Sequence, residues 1–187
     1  MDFANSHMTV FLLGMIIVIP VWIVWLRKAH FLQTWEHEFT HMLFNIVFFH
    51  KPRKFFVSDY EGGYVEAEYG YNFVEYLAPY FFPTFAYLFL PLSLIIKDQY
   101  YFVYTGILGF FTAYHFISNT RELLHAWYLD NSDLAIAGKF FSIIFIVFAG
   151  IISYGLIFTF ISNGFAGSWT FLHRGMLHSV RLLTSCL

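Results

Sequence analysis

Long apolar segments separated by short polar ones are the feature that most constrains how this chain folds. Residues 8–26 contain no charged side chain, and about 20 apolar residues in a helix cross a hydrocarbon core of about 30 Å. Every backbone N–H and C=O inside lipid needs a partner within the protein, so such a segment is helical. Further apolar segments cover residues 31–49, 73–96, 100–127 and 135–161. The sequence predicts an all-α polytopic membrane protein with about five transmembrane helices.

The composition agrees with a membrane environment. Hydrophobic residues make up 59% of the 187 residues and charged residues only 12%, which is about half of the charged fraction in a soluble domain. Lys and Arg total 10 against 12 Asp and Glu, and this net charge of -2 predicts no nucleic-acid partner. We therefore expect an integral, multi-pass membrane protein whose main surrounding is the lipid bilayer.

The two ends of the chain differ in character. Residues 8–26 lack a basic start and a small-residue cleavage site, which favours a retained helix over a signal peptide. The tail, residues 168–187, mixes Trp and Leu with two Arg, a pattern typical of a helix lying in the membrane interface. No repeat or linker divides the chain. The sequence therefore predicts a single domain over residues 1–187, with a core of roughly residues 31–162.

Residues 55–71 have a different period from the apolar segments. Alternation of apolar and acidic side chains, as in a strand, runs through Val65, Glu66, Ala67, Glu68 and Tyr69. Gly62 and Gly63 supply a turn before this strand, and residues 55–58 form a partner strand. A short β-hairpin is therefore predicted directly after the polar helix of residues 31–49.

The segment of residues 31–49 carries a metal-binding pattern, His37-Glu38-Phe39-Thr40-His41. In an H-E-x-x-H helix the two His side chains share one face, so both imidazoles reach one metal ion. Two neutral imidazoles suit Zn²⁺, which then takes a third protein ligand and a water molecule. Glu38 is placed to act as the general base for that water. Ionisable groups in an apolar segment are costly, which favours a functional role over an accident of sequence.

At these residues the chain resembles the site-2 protease family of intramembrane zinc metalloproteases, and within it a smaller bacterial branch. That family has the zinc motif on its first core helix, followed by a basic turn and a strand segment with Gly-Gly-Tyr-Val. Here the motif is followed by basic residues at 51–54 and by residues 62–65, which read Gly-Gly-Tyr-Val. The Leu-Ala-Pro of residues 77–79 is similar to a degenerate form of the family's Gly-Pro turn. The resemblance covers roughly residues 31–150.

The resemblance also implies a third zinc ligand, an aspartate at the start of a later core helix. Ser132-Asp133 matches this pattern, so the implied ligand set is His37, His41 and Asp133, with Asp130 as the reserve candidate. Thr40 replaces the Gly that is common in the family's zinc motif.

A polar stripe on residues 100–127 has two interpretations. Its members recur at helical spacing and are Thr112, His115, Asn119 and Glu122. In a functional interpretation His115 is a third ligand or a hydrogen-bond partner of one, and Asn119 binds a substrate carbonyl. In a structural interpretation the stripe is an internal hydrogen-bond network that joins helices.

The resemblance implies hydrolysis of peptide bonds in or near a transmembrane protein substrate, within a bacterial inner membrane. Zn²⁺ is the implied cofactor and Glu38 the implied catalytic residue. By the same analogy the hairpin positions the substrate through Gly63, Tyr64 and Val65, pairing with it as exposed sheet edges do with peptides.

Two other hypotheses stay open. His37 and His41 also satisfy the H-x-x-x-H pattern of membrane di-iron lipid desaturases and hydroxylases, although those enzymes usually carry adjacent His pairs and this chain has none among its nine His. The other hypothesis is a non-catalytic membrane scaffold or metal-binding protein. The substrate, the orientation in the membrane and the oligomeric state do not follow from the sequence.

Overall fold

A computed structural model describes residues 3–58, 60–68 and 72–185, most of which are helical. The elements in chain order are α1 (Phe3–Val24), α2 (His30–Val47), β1 (Pro52–Ser58), β2 (Gly62–Ala67), α3 (Phe73–Phe81), α4 (Thr84–Phe89), α5 (Tyr101–Trp127), α6 (Asp133–Ala137) and α7 (Lys139–Ser185). Short 3-10 turns lie at Leu26–Lys28, Leu90–Leu94 and Asp98–Tyr100. The predicted helical class with one small antiparallel sheet is confirmed.

Two helical segments are long and apolar enough to cross a membrane, Ser6–Val24 and Lys139–Arg181. A third candidate joins Phe73–Phe81 to Thr84–Leu94 across a bend of 78°. The bend has a local cause, because Pro83 has no N–H to continue the hydrogen bonding of α3. α2 and α5 do not meet the same criterion, since polar side chains lower their hydropathy. The structure thus gives two or three candidate spans, and about five spans remain a prediction.

α1 and the first half of α7 present apolar side chains outward. Ile16 and Ile23 of α1 and Ile144, Phe148 and Ile151 of α7 are each more than half exposed. Contiguous apolar surface of this kind is unfavourable in water and favourable against lipid chains. The exposed faces of these two helices therefore suit a membrane environment.

α1 packs along α5 at close backbone separation. A side chain added at Gly109 would overlap the carbonyl oxygen of Phe11, and one added at Gly14 would overlap the carbonyl oxygen of Gly106. Small residues let membrane helices approach in this way, so that dispersion contacts replace the hydrophobic effect as the attraction between them. Phe11 is fully buried beside Leu108 in the resulting core.

α7 consists of two helical halves that meet at Gly164. Its φ of 60° and ψ of -155° lie in a region that is essentially restricted to glycine. The second half folds back on the first, since Ser168 Oγ donates to the Leu156 carbonyl at 2.9 Å and the ring of Phe171 packs on Gly155. The predicted helix in the tail is therefore present, and its place in the membrane interface stays a prediction.

The hairpin follows α2 as predicted, but Gly62 and Gly63, predicted as its turn, are the first residues of β2 and pair with Ser58 and Val57. β1 and β2 pair antiparallel, and Gly62 begins β2 with a φ of 77°, a conformation that favours glycine. Arg53 Nη2 donates to Glu68 Oε1 at 2.8 Å, and this hydrogen bond lowers the pKa of the Glu68 carboxyl. Tyr69, the last residue of the predicted strand, lies outside the described residues.

Substitution of Gly109 by Ala tests the close packing of α1 on α5. We expect Gly109→Ala to destabilise the folded protein by about 1–3 kcal/mol, the usual cost of overpacking a filled core. Gly106→Ala is the matched control, because its new side chain would meet only Val10, at 3.4 Å or more. Unfolding in mixed detergent micelles measures the stability of both variants. Equal stability of the two would contradict the close packing of α1 on α5.

Candidate metal centre

Two helices bring the predicted ligands together. His37 and His41 lie one turn apart on α2 and both imidazoles are largely buried. Asp133 is the first residue of α6, and Ser132 caps this helix by accepting the Ala135 N–H at 3.4 Å. Ser132 Oγ also donates to the Ala126 carbonyl at 2.8 Å. The cap therefore fixes the start of α6 against the end of α5, and with it the position of Asp133.

The three side chains converge on one point. The Nε2 atoms of His37 and His41 are 3.1 Å apart, and Asp133 Oδ2 lies 3.3 Å from the first and 3.5 Å from the second. A tetrahedral zinc site with bonds of about 2.0–2.1 Å places its ligand atoms about 3.3–3.4 Å from one another. The spacing therefore fits three ligands of a tetrahedral ion, and the group can hold a metal ion.

Each remaining imidazole nitrogen lies close to an oxygen atom, in a hydrogen bond for His41 and in an ion-pair contact for His37. His37 Nδ1 lies 2.8 Å from Glu122 Oε1, and His41 Nδ1 lies 2.8 Å from the carbonyl oxygen of Glu75. In a neutral imidazole that donates through Nδ1, the Nε2 atom carries a lone pair and no proton. Two such lone pairs and the Asp133 carboxylate would then repel one another, so the arrangement favours a cation among them.

The structure also places the two reserve candidates for the third ligand. His115 Nδ1 lies 3.2 Å from Glu36 Oε1 in a buried pair that is separate from the three converging side chains. The Asp130 carboxylate is fully exposed and lies 3.3 Å from Lys139 Nζ. Of the three candidates, only Asp133 is therefore brought to His37 and His41.

Glu38 shares a polar cavity with the three side chains. The cavity has a volume of about 310 Å³, and Glu38, Tyr80 and Glu122 are among its lining residues. Gly63 packs directly on Glu38, because a Cβ at this glycine would lie 2.5 Å from Glu38 Cγ. The hairpin thus covers the side of α2 that carries the predicted general base.

The residues predicted to bind substrate divide into two groups. Gly63, Tyr64 and Val65 line the cavity, as a substrate-binding role requires. Asn119 does not line it, and its amide donates instead to the carbonyl oxygen of Tyr80. The physical reason is the end of α3 at Phe81, which leaves the Tyr80 carbonyl without a helical donor. For Asn119 the structural interpretation of the polar stripe is therefore the better one.

Sequence reasoning gave no specific role to three residues that contact the metal-binding group. Glu122 was recognised only as part of the polar stripe. Glu75 is a buried carboxylate in an otherwise apolar helix, a signal that could have marked it. Tyr80 packs edge-on against the His37 ring at 5.4 Å, and its hydroxyl lies 3.5 Å from Asp133 Oδ2. Nothing in the local sequence distinguishes Tyr80 from the other Tyr residues.

Comparison with known proteins adds no relative. No protein-family model, curated protein or solved structure matches the chain. The resemblance to site-2 proteases therefore stays a prediction, supported by the residues quoted for it.

Replacing Glu122 tests the contact that orients His37. We expect Glu122→Gln to weaken metal binding by about 10-fold or more, because the partner of a ligating imidazole fixes both its tautomer and its orientation. Competition with a chromogenic chelator measures the affinity. Glu66→Gln on the hairpin is the control, since Glu66 pairs with Lys54 at 2.9 Å on the surface. Unchanged affinity in Glu122→Gln would contradict this role.

Proposed function

We propose that this protein is an intramembrane zinc metalloprotease, similar to the site-2 proteases, that hydrolyses peptide bonds in or near transmembrane segments. The observation that carries the proposal is the convergence of His37, His41 and Asp133 in a cavity that also contains Glu38. Three nitrogen and oxygen ligands with a fourth position open to the cavity are typical of catalytic zinc sites. Glu38 beside such a site supports hydrolysis rather than a purely structural metal.

The chemistry divides between the ion and the chain. A bound Zn²⁺ would supply Lewis-acid polarisation of the scissile carbonyl and acidify a water molecule. Glu38 takes a proton from the attacking water while the water oxygen bonds to the carbonyl carbon. It then passes that proton to the leaving amine as the C–N bond breaks. The Tyr80 hydroxyl, on the wall of the same cavity, is a donor for the oxygen that gains negative charge.

The hairpin suggests how a substrate segment is held. β2 pairs with β1 along one edge only, within the part of the chain that the structure describes, and Gly63, Tyr64 and Val65 line the cavity. A transmembrane substrate has its carbonyls bonded within its own helix, so it must unwind before attack. Pairing of the unwound segment with β2 would replace the hydrogen bonds lost on unwinding and position the scissile bond.

The membrane arrangement that we propose has about five spans. They are α1, α2, the bent pair α3–α4, α5 and the first half of α7, with the second half of α7 as an interfacial helix. His37 and Glu36 of α2 lie against Glu122 and His115 of α5 inside the bundle, so that lipid would meet mainly apolar residues. By the family resemblance, the membrane is a bacterial inner membrane.

The metal group bears on the competing hypotheses as well. Among the described residues, His37, His41 and Asp133 form the one group of three or more His, Cys, Asp or Glu side chains that could hold an ion. A single group of three ligands favours one metal ion over the two irons of a lipid desaturase or hydroxylase. A non-catalytic metal-binding protein is distinguished by the absence of cleavage in the second experiment below.

Metal content tests the ligand set. We expect about one zinc per chain in the detergent-purified protein, and loss of that zinc in His37→Ala and in Asp133→Ala, because each removes one of three ligands. Asp130→Ala is the control and should keep its zinc. Mass spectrometry measures the metal content per chain in each variant. Two irons per chain would instead support the desaturase hypothesis.

The role of Glu38 requires a separate measurement. We expect Glu38→Gln to bind zinc like the wild type and to lose cleavage of single-span membrane substrates, since only the general base is removed. Cleavage is followed by gel electrophoresis after reconstitution in bicelles. Full proteolysis by purified Glu38→Gln would falsify the assignment, and zinc-loaded wild type without cleavage of any substrate would support a non-catalytic protein.

A further inference from the structure

The carbonyl oxygen that contacts His41 is free because of a proline. In an α-helix the carbonyl of residue 75 accepts the N–H of residue 79, but residue 79 is Pro79, which lies inside α3 and has no N–H. The Glu75 carbonyl is therefore left without its i+4 donor. It lies instead 2.8 Å from Nδ1 of His41 on the neighbouring helix. The family resemblance relates residues 77–79 to a Gly-Pro turn, whereas Pro79 lies inside α3 and interrupts its hydrogen bonding.

We propose that Pro79 is a positioning residue for the metal site, acting through the Glu75 carbonyl on His41. A carbonyl oxygen only accepts hydrogen bonds, so its partner must be the Nδ1–H form of the imidazole. That tautomer leaves the lone pair on Nε2, the atom that faces His37 and Asp133. A proline in α3 thereby selects the ligating form of a histidine in α2.

The position of the Glu75 carbonyl is well fixed. The Glu75 side chain is fully buried, its Oε2 accepts the Asn72 N–H at 2.6 Å, and its Oε1 lies 2.7 Å from His50 Nδ1. The first contact belongs to the capping box that begins α3, and the second joins α3 to the connection between α2 and β1. The backbone at residue 75 is therefore held on both sides, which makes its carbonyl a rigid partner for the ring.

A second proline separates this role from a general effect on helix shape. Pro20 lies inside α1 and frees the carbonyl of Ile16 in the same way. The side chain of Ile16 is 59% exposed, and α1 contributes no residue to the metal-binding group. Pro20→Ala and Pro79→Ala thus make the same chemical change in a helix, and only the second alters the acceptor of a ligand.

The inference rests on the proposed metal binding, and the affinity of full-length protein for Co²⁺ tests it by the visible absorption of the bound ion. In Pro79→Ala the restored N–H competes with His41 for the Glu75 carbonyl. We expect the affinity to fall by about 10-fold to 100-fold, the usual effect of losing the partner of a ligating His. Thermal stability of the metal-free protein should stay equal or rise, because a helix-breaking residue is removed. Pro20→Ala should keep wild-type affinity.

The outcomes are distinguishable. If the wild type binds no Co²⁺, the proposed metal centre itself fails. If the wild type binds and Pro79→Ala binds equally well, or if both proline variants lose affinity alike, the role of Pro79 is overturned. Nitrogen-15 NMR of the metal-free wild type provides a test that needs no variant. The proposal requires the proton of His41 on Nδ1, and a proton on Nε2 would overturn it.

Discussion

The structure depends on a helix that carries ionisable side chains into an apolar bundle. A buried polar group without a partner costs several kcal/mol, roughly 2–7 by transfer measurements, so α2 is stable only if its neighbours supply partners. Three neighbours do so around the metal-binding group. α5 supplies the Glu122 carboxylate to His37, α3 supplies the Glu75 carbonyl to His41, and α6 supplies Asp133 to both. The same contacts therefore determine both the packing of the bundle and the geometry of the site.

A neighbouring face of α2, about 100° around the helix from His37 and His41, has polar partners as well. Glu36 Oε1 lies 3.2 Å from His115 Nδ1 of α5 and accepts the Phe85 N–H of α4 at 3.4 Å. Thr40 bonds to Thr84 of α4 as well. These contacts hold α2 against α4 and α5 beside the face that carries His37 and His41. Thr84 of α4 and His115 of α5 thus support the same helix as Glu122 and the Glu75 carbonyl, through contacts with Thr40 and Glu36.

Breaks in helices supply several of the partners. The interruption at Pro79 frees the Glu75 carbonyl, which contacts His41. The end of α3 frees the Tyr80 carbonyl, which accepts a hydrogen bond from the Asn119 amide. In a regular helix each carbonyl already accepts an N–H, so a carbonyl that lacks this donor is the more available acceptor. Pro79 thereby leaves a backbone acceptor available inside the bundle.

The sequence by itself determined the helical class, the hairpin after α2 and the pairing of His37 with His41, because these depend on local periodicity. The 3.6-residue period places both imidazoles on one face, and alternation over residues 65–69 predicts a strand. Only the tertiary structure brings Asp133, rather than Asp130 or His115, close to His37 and His41, and only it joins Glu122 and the Glu75 carbonyl to the two imidazoles. Those contacts join residues 34 to 96 positions apart in the chain. The packing of the helices determines which of these distant residues meet, and no local sequence pattern specifies that packing.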